Sequence, residues 1–128
     1  MQANRPTNVY IVDDSVLVRS RLVEMLGAMP DVKVAGEAWS TDGAIVGILR
    51  ARPDSVLLDL HLGERSGLEV LRVVRKHAPG IIFVVLTNHA EPQYRRACTH
   101  AGARYFLDKS REFSRVPEVI AEIASARA

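Results

Sequence analysis

Acidic side chains stand directly after two of the most apolar runs of this chain. Val9–Val12 is followed by Asp13 and Asp14, and Val56–Leu58 is followed by Asp59. If both runs are neighbouring parallel strands, the three carboxylates meet at one edge of one sheet. Mg²⁺ prefers such hard oxygen ligands, usually together with waters and a substrate phosphate. The spacing therefore predicts a magnesium site.

A hydroxyl and an ammonium group follow two further apolar runs. Thr87 follows Ile81–Leu86, and Lys109 comes just after Arg104–Leu107. Asp59 is the candidate nucleophile, because an aspartate can hold a phosphoryl group as an acyl phosphate. The lysine and the threonine would then bind the outer phosphoryl oxygens. Each group alone is typical of a cap, a turn or a surface residue, but together they predict a magnesium-dependent phosphoryl site.

Composition limits the class of protein. A chain of 128 residues with 48% hydrophobic and 25% charged residues is typical of one globular domain. The net charge of +2 is too small to indicate nucleic-acid binding, and no apolar run is long enough to cross a membrane. With no signal-peptide pattern and Cys98 as the single cysteine, the sequence predicts a cytoplasmic protein without internal disulfides.

Five apolar runs, each followed by an amphipathic segment, predict an α/β fold with a parallel sheet covered by helices on both faces. Val32–Val34 and Arg104–Leu107 are the expected edge strands, so the predicted order is the doubly wound 2-1-3-4-5. Gly102 is expected to end the fourth helix in a left-handed conformation. The helices are predicted to begin after Asp14, near Ser40-Thr41, near Ser66, at Pro92 and at Ser114.

The chain resembles the receiver domain of bacterial two-component response regulators, a flavodoxin-like (βα)5 fold. The resemblance extends from Asn8 to Ala126, which gives a short tail over residues 1–7 and a receiver over residues 8–128. Its matching motifs are Val9-Tyr10-Ile11-Val12-Asp13-Asp14, Leu57-Leu58-Asp59-Leu60, Gly67-Leu68, Leu86-Thr87 and Phe106-Leu107-Asp108-Lys109.

The resemblance implies a role for each of these positions. Asp59 would be the phosphoacceptor, and Mg²⁺ would be held by Asp13, Asp14, Asp59 and the backbone carbonyl of His61. Thr87 and Lys109 would bind the phosphoryl group. Thr87 and Phe106 would form the switch that reports phosphorylation to the outer surface.

The sequence departs from the usual receiver pattern at several positions. Ser110 replaces the proline that often follows the lysine, which leaves the geometry of the Lys109–Ser110 bond open. Gly63 replaces a common proline in the loop after the phosphoacceptor. Asn88 is larger than the usual residue beside the threonine, and His61 and His89 flank the site. We expect Asn88 and the two histidines to tune reaction rates.

The function implied by the resemblance is that of a stand-alone, phosphorylation-gated switch rather than a turnover enzyme. A histidine kinase or a phosphotransfer protein would be the donor, and a downstream protein would be the target. Homodimerisation through the face formed by the fourth helix, the fifth strand and the fifth helix is a further expectation. Direct nucleic-acid binding and membrane insertion are not expected.

Two alternatives remain at this stage. A magnesium-dependent phosphohydrolase with an aspartyl phosphate would use a second aspartate two residues after the nucleophile, where this chain has His61, and usually a cap. A phosphate-independent adaptor would keep the receiver fold and ignore Asp59, so that Asp59→Asn would leave it unaffected. Zinc is not expected, because the histidines and Cys98 match no zinc spacing.

Overall fold

The computed structural model describes residues 5 to 127, and within them a parallel sheet is sandwiched between helices. None of these helices is long and apolar enough to cross a membrane. The strands of the sheet are β1 Thr7–Val12, β2 Val32–Ala38, β3 Ser55–Leu58, β4 Ile82–Thr87 and β5 Tyr105–Asp108. The long helices are α1 Val16–Gly27, α2 Thr41–Ala51, α3 Gly67–His77, α4 Pro92–Ala101 and α5 Val116–Arg127.

The strand order is β2-β1-β3-β4-β5, and all neighbouring strands pair in parallel. The predicted doubly wound order 2-1-3-4-5, with β2 and β5 at the edges, is therefore confirmed. The chain changes direction across the sheet between β1 and β3. Ligands of such sheets bind at this switch point, outside the carboxyl ends of the strands.

Side chains of the central strands alternate between two apolar cores. Val9, Ile11 and Leu57 face the core that α1 and α5 cover. Tyr10 and Val56 face the core that α2 and α3 cover. All four residues of β3 are buried, as expected of a strand that is covered on both faces. The sheet is therefore a rigid platform for whatever follows its strand ends.

Helix ends follow the predicted capping residues. The side chains of Ser15, Ser40 and Ser66 accept backbone hydrogen bonds at the starts of α1, α2 and α3. Gly102 ends α4 with φ of 110°, a conformation that glycine adopts without steric cost. The three helix starts at these serines and the stop at Gly102 are thus confirmed to within two residues, and α4 begins at Pro92 as predicted.

The last helix, α5, begins at Val116, two residues after the predicted start at Ser114, but a separate helical segment that was not predicted precedes it. Helical backbone already begins at Lys109–Glu112, continues as a 3-10 turn over Phe113–Arg115 and then becomes α5. The Asp108 carboxylate accepts a hydrogen bond from the Ser110 amide at 3.0 Å and caps the first turn. This cap places Lys109 at the start of a helical turn.

β2 is longer than the predicted Val32–Val34. It continues to Ala38, because β1 pairs with it over its whole length. A register shift between Val9 and Tyr10 absorbs one residue, and the buried Tyr10 ring fits only because Gly36 has no side chain. The alternation of β2 stops at this glycine, and therefore the sequence pattern underestimated the strand.

A two-strand hairpin, formed by His61–Leu62 and Arg65–Ser66, connects β3 to α3 and borders the carboxyl edge of the sheet. Gly67 closes this hairpin by donating its amide to the Leu60 carbonyl at 2.7 Å. A Cβ atom at Gly67 would overlap the carbonyl oxygen of Asp59. The backbone at Asp59 can therefore lie where it does only with glycine at this position.

We expect Gly67→Ala to lower the free energy of unfolding by about 2 kcal/mol, because the new methyl group must displace backbone at Asp59. Gly27→Ala is the matched control, since nothing lies within 4 Å of the corresponding Cβ at the end of α1. It should leave stability unchanged or raise it slightly. Urea unfolding measures the stability of both variants. If Gly67→Ala is as stable as Gly27→Ala, the backbone at Gly67 does not lie tightly against Asp59.

Candidate functional site

Three carboxylates converge at the carboxyl edge of the sheet. Asp13 and Asp14 follow β1, Asp59 follows β3, and one oxygen of each lies within 4.8 Å of the others. Asp13 is 2% exposed and Asp59 is 7% exposed, whereas Asp14 faces solvent. The two buried carboxylates need compensating charge, because burial of an unpaired ion is costly.

Lys109 supplies part of that charge. Its Nζ atom donates to Asp13 Oδ2 at 2.7 Å and to Asp59 Oδ2 at 3.1 Å. The lysine side chain is only 11% exposed, so its charge is poorly screened by water. No cis peptide bond occurs in residues 5–127, so the Lys109–Ser110 bond is trans. The helical turn that begins at Lys109 thus aims the ammonium group between two strand ends.

Burial and charge change the pKa values of this pair. Burial raises the pKa of Asp13, and the hydrogen bonds from Lys109 and Ser15 only partly offset this. Burial alone would lower the pKa of Lys109, but the hydrogen bond to Asp13 and the nearby carboxylate charges outweigh it. The net result is a raised pKa, so Lys109 is an ammonium at neutral pH. One ammonium does not fully compensate three carboxylates.

Backbone amides hold each carboxylate in place. The Ser15 amide donates to Asp13 at 2.9 Å, and the Gly63 amide of the hairpin donates to Asp14 at 3.1 Å. A proline at position 63 has no such donor, so the departure from the usual pattern creates this bond. Sequence reasoning missed the contact, although the absence of proline was its visible signal.

Thr87 ends β4 at the same edge and is fully buried. Its hydroxyl oxygen accepts a hydrogen bond from the His89 amide at 3.2 Å. The hydroxyl proton therefore remains available for a second partner. Asn88, between these two residues, is exposed.

Two imidazole rings form a wall beside the carboxylates. His61 and His89 stack with their ring centroids 3.7 Å apart and their planes 18° apart. The Tyr94 ring meets His89 edge-on at 5.9 Å. The wall joins the hairpin to the β4–α4 loop and α4, which are far from the hairpin in sequence. The histidines were predicted to flank the site, but their stacking and the contribution of Tyr94 were not.

Phe106 lies on β5 and packs against the small cluster of Leu60, Val85 and Cys98. The Arg95 guanidinium lies 4.5 Å from the centroid of the Phe106 ring and donates to the Phe106 carbonyl at 3.3 Å. The ring is half-buried rather than fully enclosed. Its position beside Leu60 connects the carboxylate edge to the surface of α4 and β5.

The acidic cluster fits a hard divalent cation. Among residues 5–127, Asp13, Asp14 and Asp59 are the only group of three or more acidic, histidine or cysteine side chains that converge closely enough to hold a metal. All three offer oxygen, which suits Mg²⁺ better than the softer transition metals. The three carboxylates would hold the ion, and its charge would offset their mutual repulsion.

A doubly wound sheet with carboxylates, a threonine and a lysine at its carboxyl edge is the arrangement on which the resemblance to signalling receivers was based. The chain belongs to the response regulator receiver domain family, whose family model matches residues 9–121. Magnesium binding and phosphorylation are typical of this family of two-component systems.

Relatives and solved structures agree with this assignment. The DNA-binding transcriptional activator DevR/DosR of Mycobacterium tuberculosis is 30% identical over 119 residues, which cover 93% of this chain and 55% of that protein. A protein-glutamate methylesterase/protein-glutamine glutaminase of Geobacter sulfurreducens is 32% identical over 82% of this chain and 28% of its own length. The chain thus spans only about a quarter to a half of these relatives.

The fold matches solved receivers closely. The response regulator domain of Thermotoga maritima CheB has a TM-score of 0.84 and 26% identity, over 95% of this chain and 96% of that domain. The signal receiver domain of the NarL protein of Mycobacterium tuberculosis has a TM-score of 0.86 and 26% identity, over 94% and 98% of the two chains. The flavodoxin-like receiver fold is therefore confirmed.

We expect Asp13→Asn to raise the free energy of unfolding by about 1 kcal/mol at pH 7 without metal, because it removes a buried carboxylate beside Asp59. The raised pKa of Asp13 means that folding weakens as the pH rises from the ordinary value of 3.8 through the folded-state value. The difference between variant and wild type should therefore shrink at pH values below that range.

The same variant should lose most of the stabilisation that Mg²⁺ gives the wild type, which is about 2.7 kcal/mol at one hundred times the dissociation constant. Asp31→Asn is the control, since Asp31 is exposed before β2 at the opposite edge of the sheet. Thermal unfolding with and without Mg²⁺ measures both effects. Equal stabilisation of Asp13→Asn and wild type would place the metal elsewhere.

Proposed function

We propose that this domain is a phosphorylation-gated signalling switch in which Asp59 accepts a phosphoryl group from a histidine kinase or a phosphotransfer protein. The observation that carries the proposal is the Lys109 ammonium held between Asp13 and Asp59 at 2.7 and 3.1 Å. A cation placed within hydrogen-bond reach of the acceptor carboxylate can also reach an oxygen of a group transferred to that carboxylate.

The transfer forms one bond and breaks one bond. An Asp59 carboxylate oxygen attacks phosphorus while the phosphorus–nitrogen bond of the donor phosphohistidine breaks. The donor imidazole keeps the electron pair of that bond, and Asp59 becomes an acyl phosphate. Lys109 and the Thr87 hydroxyl then neutralise and hydrogen-bond the outer phosphoryl oxygens.

Magnesium supports this reaction through charge. When bound by Asp13, Asp14, Asp59 and the His61 carbonyl, Mg²⁺ would neutralise negative charge that develops on the phosphoryl oxygens. The chain's own part is to hold the acceptor still: the His61 amide lies 3.4 Å from Asp59 Oδ1, and Gly67 fixes the Asp59 backbone. His61, Asn88 and His89 are proposed to tune the rate by controlling access.

The signal is a change of surface. An acyl phosphate adds about two negative charges between Lys109 and Thr87. Lys109 and Thr87 would then both bind the phosphoryl oxygens. Phe106 is proposed to shift together with Thr87 and so to change the surface formed by α4, β5 and α5. This face is the proposed site of a downstream protein target or of homodimerisation. Residues 8–128 act in this account as the receiver and not as a turnover enzyme, and its cytoplasmic location stays a prediction.

We expect acetyl phosphate to add one phosphoryl group to the wild-type protein in the presence of Mg²⁺ and none without it. Asp59→Asn should abolish the addition, because an amide oxygen is a poor nucleophile. Intact-mass spectrometry measures the product. Asp42→Asn is the matched control, since its carboxylate is exposed on α2 and, among residues 5–127, pairs only with Arg65.

The control variant should gain the group as the wild type does. A gain by Asp59→Asn equal to that of the wild type would move the acceptor elsewhere. If the wild type gains nothing from acetyl phosphate or from a phosphorylated kinase, although Mg²⁺ binds, the proposal fails and a phosphate-independent adaptor becomes the better account.

A further inference from the structure

One third of the chain carries a marked excess of positive charge. Between Val70 and Leu107 the sequence has six lysines and arginines but a single acidic residue, Glu91. This segment forms most of α3, then β4, α4 and most of β5. The charge therefore belongs to one side of the molecule, although the whole chain has a net charge of only +2.

None of the six cations has an intramolecular carboxylate partner within 4 Å among residues 5–127. The salt bridges there involve arginines and a lysine from other parts of the chain. All six are exposed: Arg72, Arg75, Lys76, Arg95, Arg96 and Arg104. Their charge is therefore available to a partner.

The groove between α3 and α4 contains an apolar cavity of about 450 Å³ at its upper end. Leu68 of α3 faces Ala97 and Cys98 of α4 across it, and His61 and Tyr94 form its wall toward the carboxylate edge. The volume accommodates one large apolar side chain. Glu64 and Arg65, on the hairpin rim, put opposite charges at this end of the groove, and Arg65 is paired with Asp42 and Glu69.

Two of the free arginines continue the groove away from the cavity. Arg72 lies one helical turn after Leu68, on the same face of α3. Cys98 lies at the base of the cavity, and burial raises the pKa of its thiol to about 11. Arg72 is close enough for its positive charge to lower that pKa in part. The Arg75 side chain reaches the end of α4. Its Nε atom is so close to Gly102 that a Cβ atom there would lie only 2.5 Å away.

We propose that the α3–α4 groove is a docking site for an acidic peptide segment of a partner protein, with one apolar side chain in the cavity and carboxylates on Arg72 and Arg75. An acidic partner is favoured because Arg72 and Arg75 offer cations in a row along the groove, whereas the His61 and Tyr94 rings of the cavity wall already contact the His89 ring. The surface goes beyond phosphoryl transfer and does not depend on it.

The groove lies next to the phosphoryl site, so a peptide bound in it would contact residues beside that site. His61 and Tyr94 line the cavity, and the same two rings contact His89 in the wall beside Asp59 and Thr87. A segment seated in the cavity would therefore touch the outer side of that wall. The groove shares α4 with the face of α4, β5 and α5 proposed above for the phosphorylated state, but its other wall is α3 and the hairpin, and so it is a second surface.

A fluorescein-labelled synthetic peptide of repeated Glu-Glu-Leu units is the probe, and fluorescence anisotropy measures its binding to unphosphorylated protein. We expect binding that weakens with added salt. The double variant Arg72→Gln, Arg75→Gln should weaken it about tenfold, the effect of two exposed ion pairs. Arg50→Gln, Arg111→Gln is the control, since both arginines are exposed outside the groove and lack a carboxylate partner among the described residues.

Ala97→Leu tests the cavity without a change of charge and should also weaken binding, because leucine fills the space. Asp59→Asn should bind as the wild type does, so failure of the phosphoryl proposal leaves this one intact. The inference is overturned if both arginine double variants bind equally, or if a Lys-Lys-Leu peptide binds as well. It is also overturned if single-stranded DNA binds more tightly than the acidic peptide through the same arginines.

Discussion

The repulsion between three carboxylates at one edge of the sheet is the constraint on which the rest of the structure depends. Two of them are buried, where like charges interact strongly and water cannot screen them. Lys109 contributes one positive charge between Asp13 and Asp59. The cluster still carries two excess negative charges, the number that one divalent cation would balance. This imbalance is expected to lower stability without metal and to favour a divalent cation at this edge of the sheet.

The fold tolerates this imbalance because strand ends hold the charged groups. β1, β3 and β4 are buried on both faces, so Asp13, Asp59 and Thr87 start from backbone that cannot move away from the strain. Only the loops after the strands can move when the charge at the carboxylates changes, and two of these loops contact each other. The stacked rings of His61 and His89 connect the hairpin to the β4–α4 loop. A change of charge at the carboxylates would therefore move these two loops before the strands.

Much of the fold could be predicted from the sequence, because burial on both faces leaves a clear pattern. Continuous apolar runs identified the three central strands, and serine caps and Gly102 identified helix ends. The short helical segment that precedes the last helix was missed because it depends on the Asp108 side chain, which caps it at Ser110, and the apolar pattern does not indicate this cap. The end of β2 was missed because Gly36, which makes room for Tyr10, interrupts its alternation.

The candidate site could likewise be predicted only in part. Residues that follow strands could be brought together from topology alone, and the structure does place Asp13, Asp14, Asp59, Thr87 and Lys109 at one edge. Contacts between loops could not be predicted, because they depend on loop conformation rather than on strand order. The Gly63 amide on Asp14, the stacked histidines and the Arg95 guanidinium over Phe106 are of this kind.

The most direct test of the central claim is to locate the covalent phosphoryl group. After reaction with a phosphorylated histidine kinase in Mg²⁺, borohydride reduction should convert the acyl phosphate to a homoserine residue, and peptide mass spectrometry should find it. The account predicts homoserine at position 59 alone. Modification at Asp13 or Asp14, or a phosphoryl group that resists borohydride on another side chain, would contradict it.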